Sequence, residues 1–189
     1  MEAIITSVAV VALAEIGDKT MLLAIVLATR FRKPVPIVLG ILFATLANHA
    51  IAAFLGQSIA GLLDGRWFRY AIGVSFILMA AWTLVPDKLD DDEGAGPSGF
   101  GAFLTTLVAF FVVEIGDKTQ IATIALGAQF RDVWLVTAGT TLGMLLANVP
   151  AVYLGNRIVE RVPLGVVRGI AAILFLAIGA WVIVETALR

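Results

Sequence analysis

Glu15-Ile16-Gly17-Asp18-Lys19-Thr20 returns, letter for letter, 99 positions downstream as Glu114-Ile115-Gly116-Asp117-Lys118-Thr119. Each copy interrupts a long apolar run. Ala3–Ala14 precedes the first and Met21–Thr29 follows it; Gly101–Val113 precedes the second and Gln120–Ala128 follows it. Charged side chains in the middle of a membrane span cost roughly 2.5–3.5 kcal/mol each, so the two copies together would cost on the order of 15–20 kcal/mol if unpaired. A membrane protein keeps such groups where they face one another, a water-filled cavity or a bound ion.

The chain around the motif is that of an integral membrane protein. Of its 189 residues 60% are hydrophobic and only 14% charged, with a mean hydropathy of +1.01, whereas soluble domains carry about 25% charged residues. The net charge of −1 gives no reason to expect a nucleic-acid partner, and the absence of cysteine excludes disulfides, thiolate metal sites and a cysteine nucleophile. With no basic segment and no small-residue cleavage site at the N-terminus, Ala3–Ala14 reads as part of a mature span.

Six segments are apolar enough to cross a bilayer, which takes about 20 residues of helix: Ala3–Thr29, Val35–Leu63, Trp67–Val85, Gly101–Ala128, Val133–Leu154 and Val166–Val184. Continuous apolar runs without alternation mean helices and not a β-barrel. The first and fourth runs exceed the length of a straight span, which tilting or a break at Gly17 and Gly116 would accommodate.

The repeat extends beyond the motif. Phe31-Arg32 recurs as Phe130-Arg131, Leu46-Ala47-Asn48 as Leu146-Ala147-Asn148, Leu55-Gly56 as Leu154-Gly155, Arg69 as Arg168, and Ala81-Trp82 as Ala180-Trp181. Residues 1–86 therefore form one three-helix repeat and 100–189 a second, joined by an acidic linker at 87–99. The linker's composition, with the run Asp90-Asp91-Asp92-Glu93, is that of a solvated loop. Three helices per half is an odd number, so the second half enters the membrane in the opposite sense. The expected fold is an all-α membrane protein of six helices in two inverted-topology repeats, as in many secondary transporters, whose substrate sites lie near the midplane between the repeats. Glu15 and Glu114 fall near that depth from opposite sides.

Arg30, Arg32, Lys33, Lys88, Arg157, Arg161 and Arg168 lie on one side of such a topology, against Arg66, Arg69, Arg131 and Arg189 on the other. The positive-inside bias puts the linker in the cytoplasm and both termini outside.

On a helix, Glu15 and Asp18 share a face bordered by Lys19, while Thr20 points elsewhere unless the helix breaks at Gly17. The two copies supply Glu15, Asp18, Glu114 and Asp117; Lys19 and Lys118 offset two of the four negative charges, and the remaining −2 matches one divalent cation. Asn48 and Asn148 add amide oxygens or serve as hydrogen-bond glue between helices. Thr20, Thr119 and Gln120 complete the supporting set. Hard oxygen donors suit Ca²⁺, Mn²⁺ or Mg²⁺ and not copper or zinc. His49, the one histidine, has Val149 as its counterpart and reads as a packing or pore-lining residue. Gly139, Gly143 and Ala147 form a small-residue stripe for close helix contact. Trp82 and Trp181 read as interface anchors.

The duplicated E-x-G-D-K-T motif, on the first helix of each of two halves around an acidic loop, resembles the family of Golgi-type Ca²⁺/Mn²⁺:proton exchangers, whose bacterial members are manganese exporters within the cation/calcium exchanger superfamily. The resemblance covers the whole chain. It implies that Glu15, Asp18, Glu114 and Asp117 bind the transported ion, that Mn²⁺ (or Ca²⁺) leaves the cytoplasm in exchange for protons or another cation, and that no resident cofactor takes part. With no leader ahead of the first helix, a bacterial inner membrane is the expected location.

Other classes fit the residues less well. An exporter of small organic cations or amino acids would want aromatic or apolar walls beside its charges, and the motif's surroundings are aliphatic. A passive channel is disfavoured by the inverted repeat. A membrane enzyme lacks candidates: the four serines (Ser7, Ser58, Ser75 and Ser98) have no histidine beside them in sequence, and there is no H-E-x-x-H. A carboxylate-based phosphatase is the enzyme reading that residue types leave open.

Overall fold

The computed structural model describes residues 1–63, 65–86, 101–155, 157 and 162–188. The linker at 87–99, with its acidic run, lies outside the described residues. Among these residues the regular structure is entirely helical: α1 (Glu2–Glu15), α2 (Lys19–Phe31), α3 (Pro34–Leu62), α4 (Arg66–Thr83), α5 (Ala102–Val113), α6 (Lys118–Phe130), α7 (Val133–Leu154) and α8 (Leu164–Leu188). Three of them, α3, α7 and α8, are each long and apolar enough to cross a membrane alone.

The first and fourth apolar runs are each two helices. Gly17 and Gly116 adopt φ of +85° and +79°, a left-handed conformation that costs glycine nothing and penalises any residue with a Cβ. The following aspartates, Asp18 and Asp117, are extended N-caps from which α2 and α6 restart. Of the two accommodations open to an overlong run, tilt or break, the chain breaks. The geometry repeats at the far end of these helices as well. Arg32 and Arg131 are left-handed C-caps (φ 54° and 52°), and their N–H groups close onto the carbonyls of Ala28 and Gly127.

Packing crosses between the two ends of the chain. Helices α1 and α2 lie on α7, α5 and α6 lie on α3, α3 meets α7, and α4 pairs with α8. Within a bilayer there is little hydrophobic drive between helices, so close backbone approach through small residues does the work. The expected stripe on α7 does so against α1. A Cβ on Gly139 would stand 2.8 Å from the carbonyl oxygen of Ile4, and one on Gly143 2.8 Å from that of Val8. Large apolar side chains such as Phe43, Phe54, Leu78, Leu146 and Ile173 face outward, as a lipid-facing surface requires.

Candidate cation site

Both motif copies fold the same way. α1 ends on Glu15, and Glu114 caps α5. The N–H of Asp18 donates to the carbonyl of Glu15 at 3.0 Å, and that of Asp117 to Glu114 at 3.2 Å. In an unbroken helix, residues five apart point about 140° away from each other. The turn at each glycine folds that separation back: the Thr20 hydroxyl donates to Glu15 Oε2, and the Thr119 hydroxyl to Glu114 Oε1. The threonines therefore join the site because the helices break.

The crossing of the two broken runs brings the copies together. One carboxylate oxygen each from Glu15, Glu114 and Asp117 lie within 4.8 Å of one another. The lysines reach across to the opposite copy. Lys118 pairs with Asp18, both fully buried, and Lys19 Nζ stands 3.5 Å from Asp117 Oδ1. Each aspartate is thus matched by the lysine of the other motif, and the net −2 of the ionised cluster resides on Glu15 and Glu114. Asn148 donates to Glu15 Oε2 at 3.4 Å as well as to the Met144 carbonyl at 3.1 Å.

The supporting residues divide once placed. Asn48 sends its amide to the Phe111 carbonyl at 3.0 Å, tying α3 to α5 one turn before the break, so it acts as interhelical glue. Gln120 accepts the Gly116 N–H at 2.8 Å and holds the second break from the backbone side. Asp117 also accepts the Thr119 N–H at 3.3 Å, capping α6. His49, read from sequence as a packing or pore-lining residue, is completely buried with Nε2 3.7 Å from Glu114 Oε1. Its place beside Asn48, one residue off the repeat landmark, was the available signal; what was lacking was the helix crossing that carries it to Glu114.

Three buried oxygens in this cluster, Glu15 Oε1, Glu114 Oε2 and Asn148 Oδ1, have no hydrogen-bond partner among the described residues. Buried polar atoms are nearly always satisfied. Orphaned anionic and amide oxygens around a −2 centre are the donor set a hard divalent cation takes.

A family profile described as "Divalent cation/proton antiporter GDT1" matches residues 3–91 and 102–189. The chain is 52% identical over 178 residues to a Vibrio cholerae protein named "Putative manganese exporter", covering 93% of this chain and 88% of that one. It is 31% identical over 193 residues to a GDT1-like protein of Synechocystis, covering 90% and 92%. It is 29% identical over 202 residues to GDT1-like protein 4 of Oryza sativa subsp. indica, covering 93% and 70%. No solved structure matches the chain.

Proposed function

Because this chain belongs to the GDT1 family of divalent cation/proton antiporters, and is therefore a membrane transporter and not an enzyme, we propose that it exports Mn²⁺ from the bacterial cytoplasm in exchange for protons. Ca²⁺ is the second-ranked cargo. The observation that carries this reading is the −2 cluster in which two copies of one motif meet with orphaned oxygens. The Vibrio relative's name supports Mn²⁺ over Ca²⁺. Glu15, Glu114 and Asp117, whose oxygens converge, hold the ion with Asn148 beside them; Asp18, held by Lys118, sets the charge and the shape. In this reading α1 with α2, and α5 with α6, each make one broken span. Together with α3, α4, α7 and α8 these give six spans in two inverted repeats, 1–86 and 100–189, with the site near the midplane.

A carrier must return without its cargo. A midplane site of charge −2 is costly to reorient empty, and two protons on the glutamates restore neutrality. One divalent cation leaving for two protons entering follows, and metal binding weakens as pH falls because protons and metal compete for the same carboxylates. In proteoliposomes carrying a pH dye and a metal indicator, an imposed pH gradient is expected to drive Mn²⁺ uphill, and Mn²⁺ flux to move protons the other way. If neither gradient moves the other ion, proton exchange is wrong, and a sodium gradient is the next to impose.

Orientation follows from the basic residues: both termini outside, linker in the cytoplasm. The chain has no cysteine, so Glu2→Cys and Ala95→Cys report cleanly. An impermeant maleimide on intact cells is expected to label position 2 and spare position 95; the reverse pattern inverts the topology and leaves the direction of exchange, which the ion gradients set, unchanged.

A further inference from the structure

The two halves of the site are not equivalent, and the difference is His49. On one side Asn148 reaches Glu15 from α7. On the other side the matching asparagine, Asn48, is spent on the Phe111 carbonyl, and the residue that reaches Glu114 from α3 is His49, whose counterpart is Val149. The imidazole is fully buried, and neither ring nitrogen has a hydrogen-bond partner among the described residues. A structural histidine ordinarily donates one N–H to a carbonyl or carboxylate and so fixes its tautomer. The distance from Nε2 to Glu114 Oε1, 3.7 Å, is too long for a hydrogen bond. It falls between the cis and trans separations, about 3 Å and about 4.4 Å, of two donors sharing an ion with bonds of about 2.2 Å. His49 stands outside the group of Glu15, Glu114 and Asp117 whose oxygens all lie within 4.8 Å of one another, so it joins them only by a shift of the imidazole toward Glu15.

We propose that His49 is a ligand of the transported cation through Nε2, giving the site one nitrogen donor among its oxygens and a preference for a first-row transition ion over Ca²⁺ and Mg²⁺. The inference rests on the cation-export reading above and adds a specificity determinant to it. Ca²⁺ and Mg²⁺ are hard ions that take oxygen ligands, whereas an imidazole nitrogen is a good donor to first-row transition metals. An all-oxygen site would discriminate between Mn²⁺ and Ca²⁺ by size alone. A nitrogen brought in on one side, where the repeat would otherwise supply valine, adds a chemical criterion to the steric one.

Because His49 is the sole histidine, the test needs no mutation. Protein made without a histidine tag is loaded with Mn²⁺, and pulsed electron paramagnetic resonance reads nitrogen coupling to the metal. The expected result is a ¹⁴N modulation that converts to the ¹⁵N pattern when only histidine is isotope-labelled. In His49→Val the modulation is expected to vanish, with the Kd for Mn²⁺ rising about tenfold and that for Ca²⁺ changing less than about twofold. Mn²⁺ bound with no nitrogen coupling, or with coupling indifferent to histidine labelling, would overturn the inference and leave cation export standing. Native protein that binds no Mn²⁺ would instead remove the functional reading itself, and the role of His49 with it. Equal losses of Mn²⁺ and Ca²⁺ affinity in His49→Val would reduce His49 to a packing residue.

Discussion

Glu15→Gln and Glu114→Gln are each expected to abolish Mn²⁺ export and to weaken Mn²⁺ binding by about a hundredfold or more, above about 2.7 kcal/mol, while the metal-free protein stays as thermostable as native. Both carboxylates are buried, and each keeps one oxygen without a partner among the described residues. Removing the charge therefore relieves a desolvation cost in the empty site and removes half of the −2 that a divalent ion requires. The threonine hydroxyl that donates to each glutamate can still donate to an amide oxygen, so the fold loses little. The aspartates behave differently. Asp18→Asn leaves Lys118 buried without that counter-charge, and breaking a buried pair from one side costs about 3–5 kcal/mol. It is expected to lose both transport and stability. Asp117→Asn loses transport with a smaller drop in stability, because Lys19 keeps 20% of its exposure and water can offset the missing partner. Calorimetric Mn²⁺ titration and thermal unfolding in detergent, run on the four variants, separate these outcomes. Near-native transport in any two of them would demote the cluster to a packing role.

Gly56→Ala is expected to be the most damaging conservative change in the membrane-embedded helices. A Cβ there would lie 2.0 Å from the backbone oxygen of Ile124. A Cβ on Gly127, on the other side of the same crossing, would stand 2.5 Å from the Ala53 carbonyl oxygen. Backbone cannot step aside as a flexible side chain can, so α3 and α6 must separate over their whole contact. Overpacking ordinarily costs about 1–3 kcal/mol, and a clash against backbone on this scale belongs at or above the upper end. The displacement also reaches the site, because α6 carries Lys118 and Thr119 in its first turn. Gly61→Ala is the control: it lies on the same helix, and none of the described residues stands within 4 Å of an added Cβ. It is expected to be neutral or slightly stabilising, since alanine loses less backbone entropy than glycine. Size-exclusion profiles and melting temperatures of the two variants decide it; a Gly56→Ala protein as stable as Gly61→Ala would mean that the two helices do not cross here.

The candidate site's residues were legible in the sequence through two independent signals. Intact charges inside apolar runs are too costly to be incidental, and their duplication with the same neighbours made each copy a check on the other. The glycines were legible as points where an overlong run could break, but tilting answers the same excess of length, so sequence left the choice open. With Gly17 and Gly116 at positive φ the choice is made, and only then do Thr20 and Thr119 turn toward their glutamates.

What the sequence determined alone is what depends on composition and short-range order. It set the helical, membrane-embedded character of the chain, the bounds of its apolar runs, and the charge balance of −2. Tertiary structure decided which charge meets which. A repeat of 99 residues states that two motifs are alike, and says nothing of how they approach. The crossing of α1 on α7 and of α5 on α3 is what sends Lys118 to Asp18 and Lys19 to Asp117 instead of each lysine to its own aspartate. The same crossing separates residues that the repeat makes equivalent. Asn148 meets a carboxylate while Asn48 meets a backbone carbonyl, and His49 comes to stand beside Glu114 where Val149 offers nothing. These are contacts between residues far apart in the chain, set by interhelical angle and distance, and those follow from where small side chains let two backbones touch.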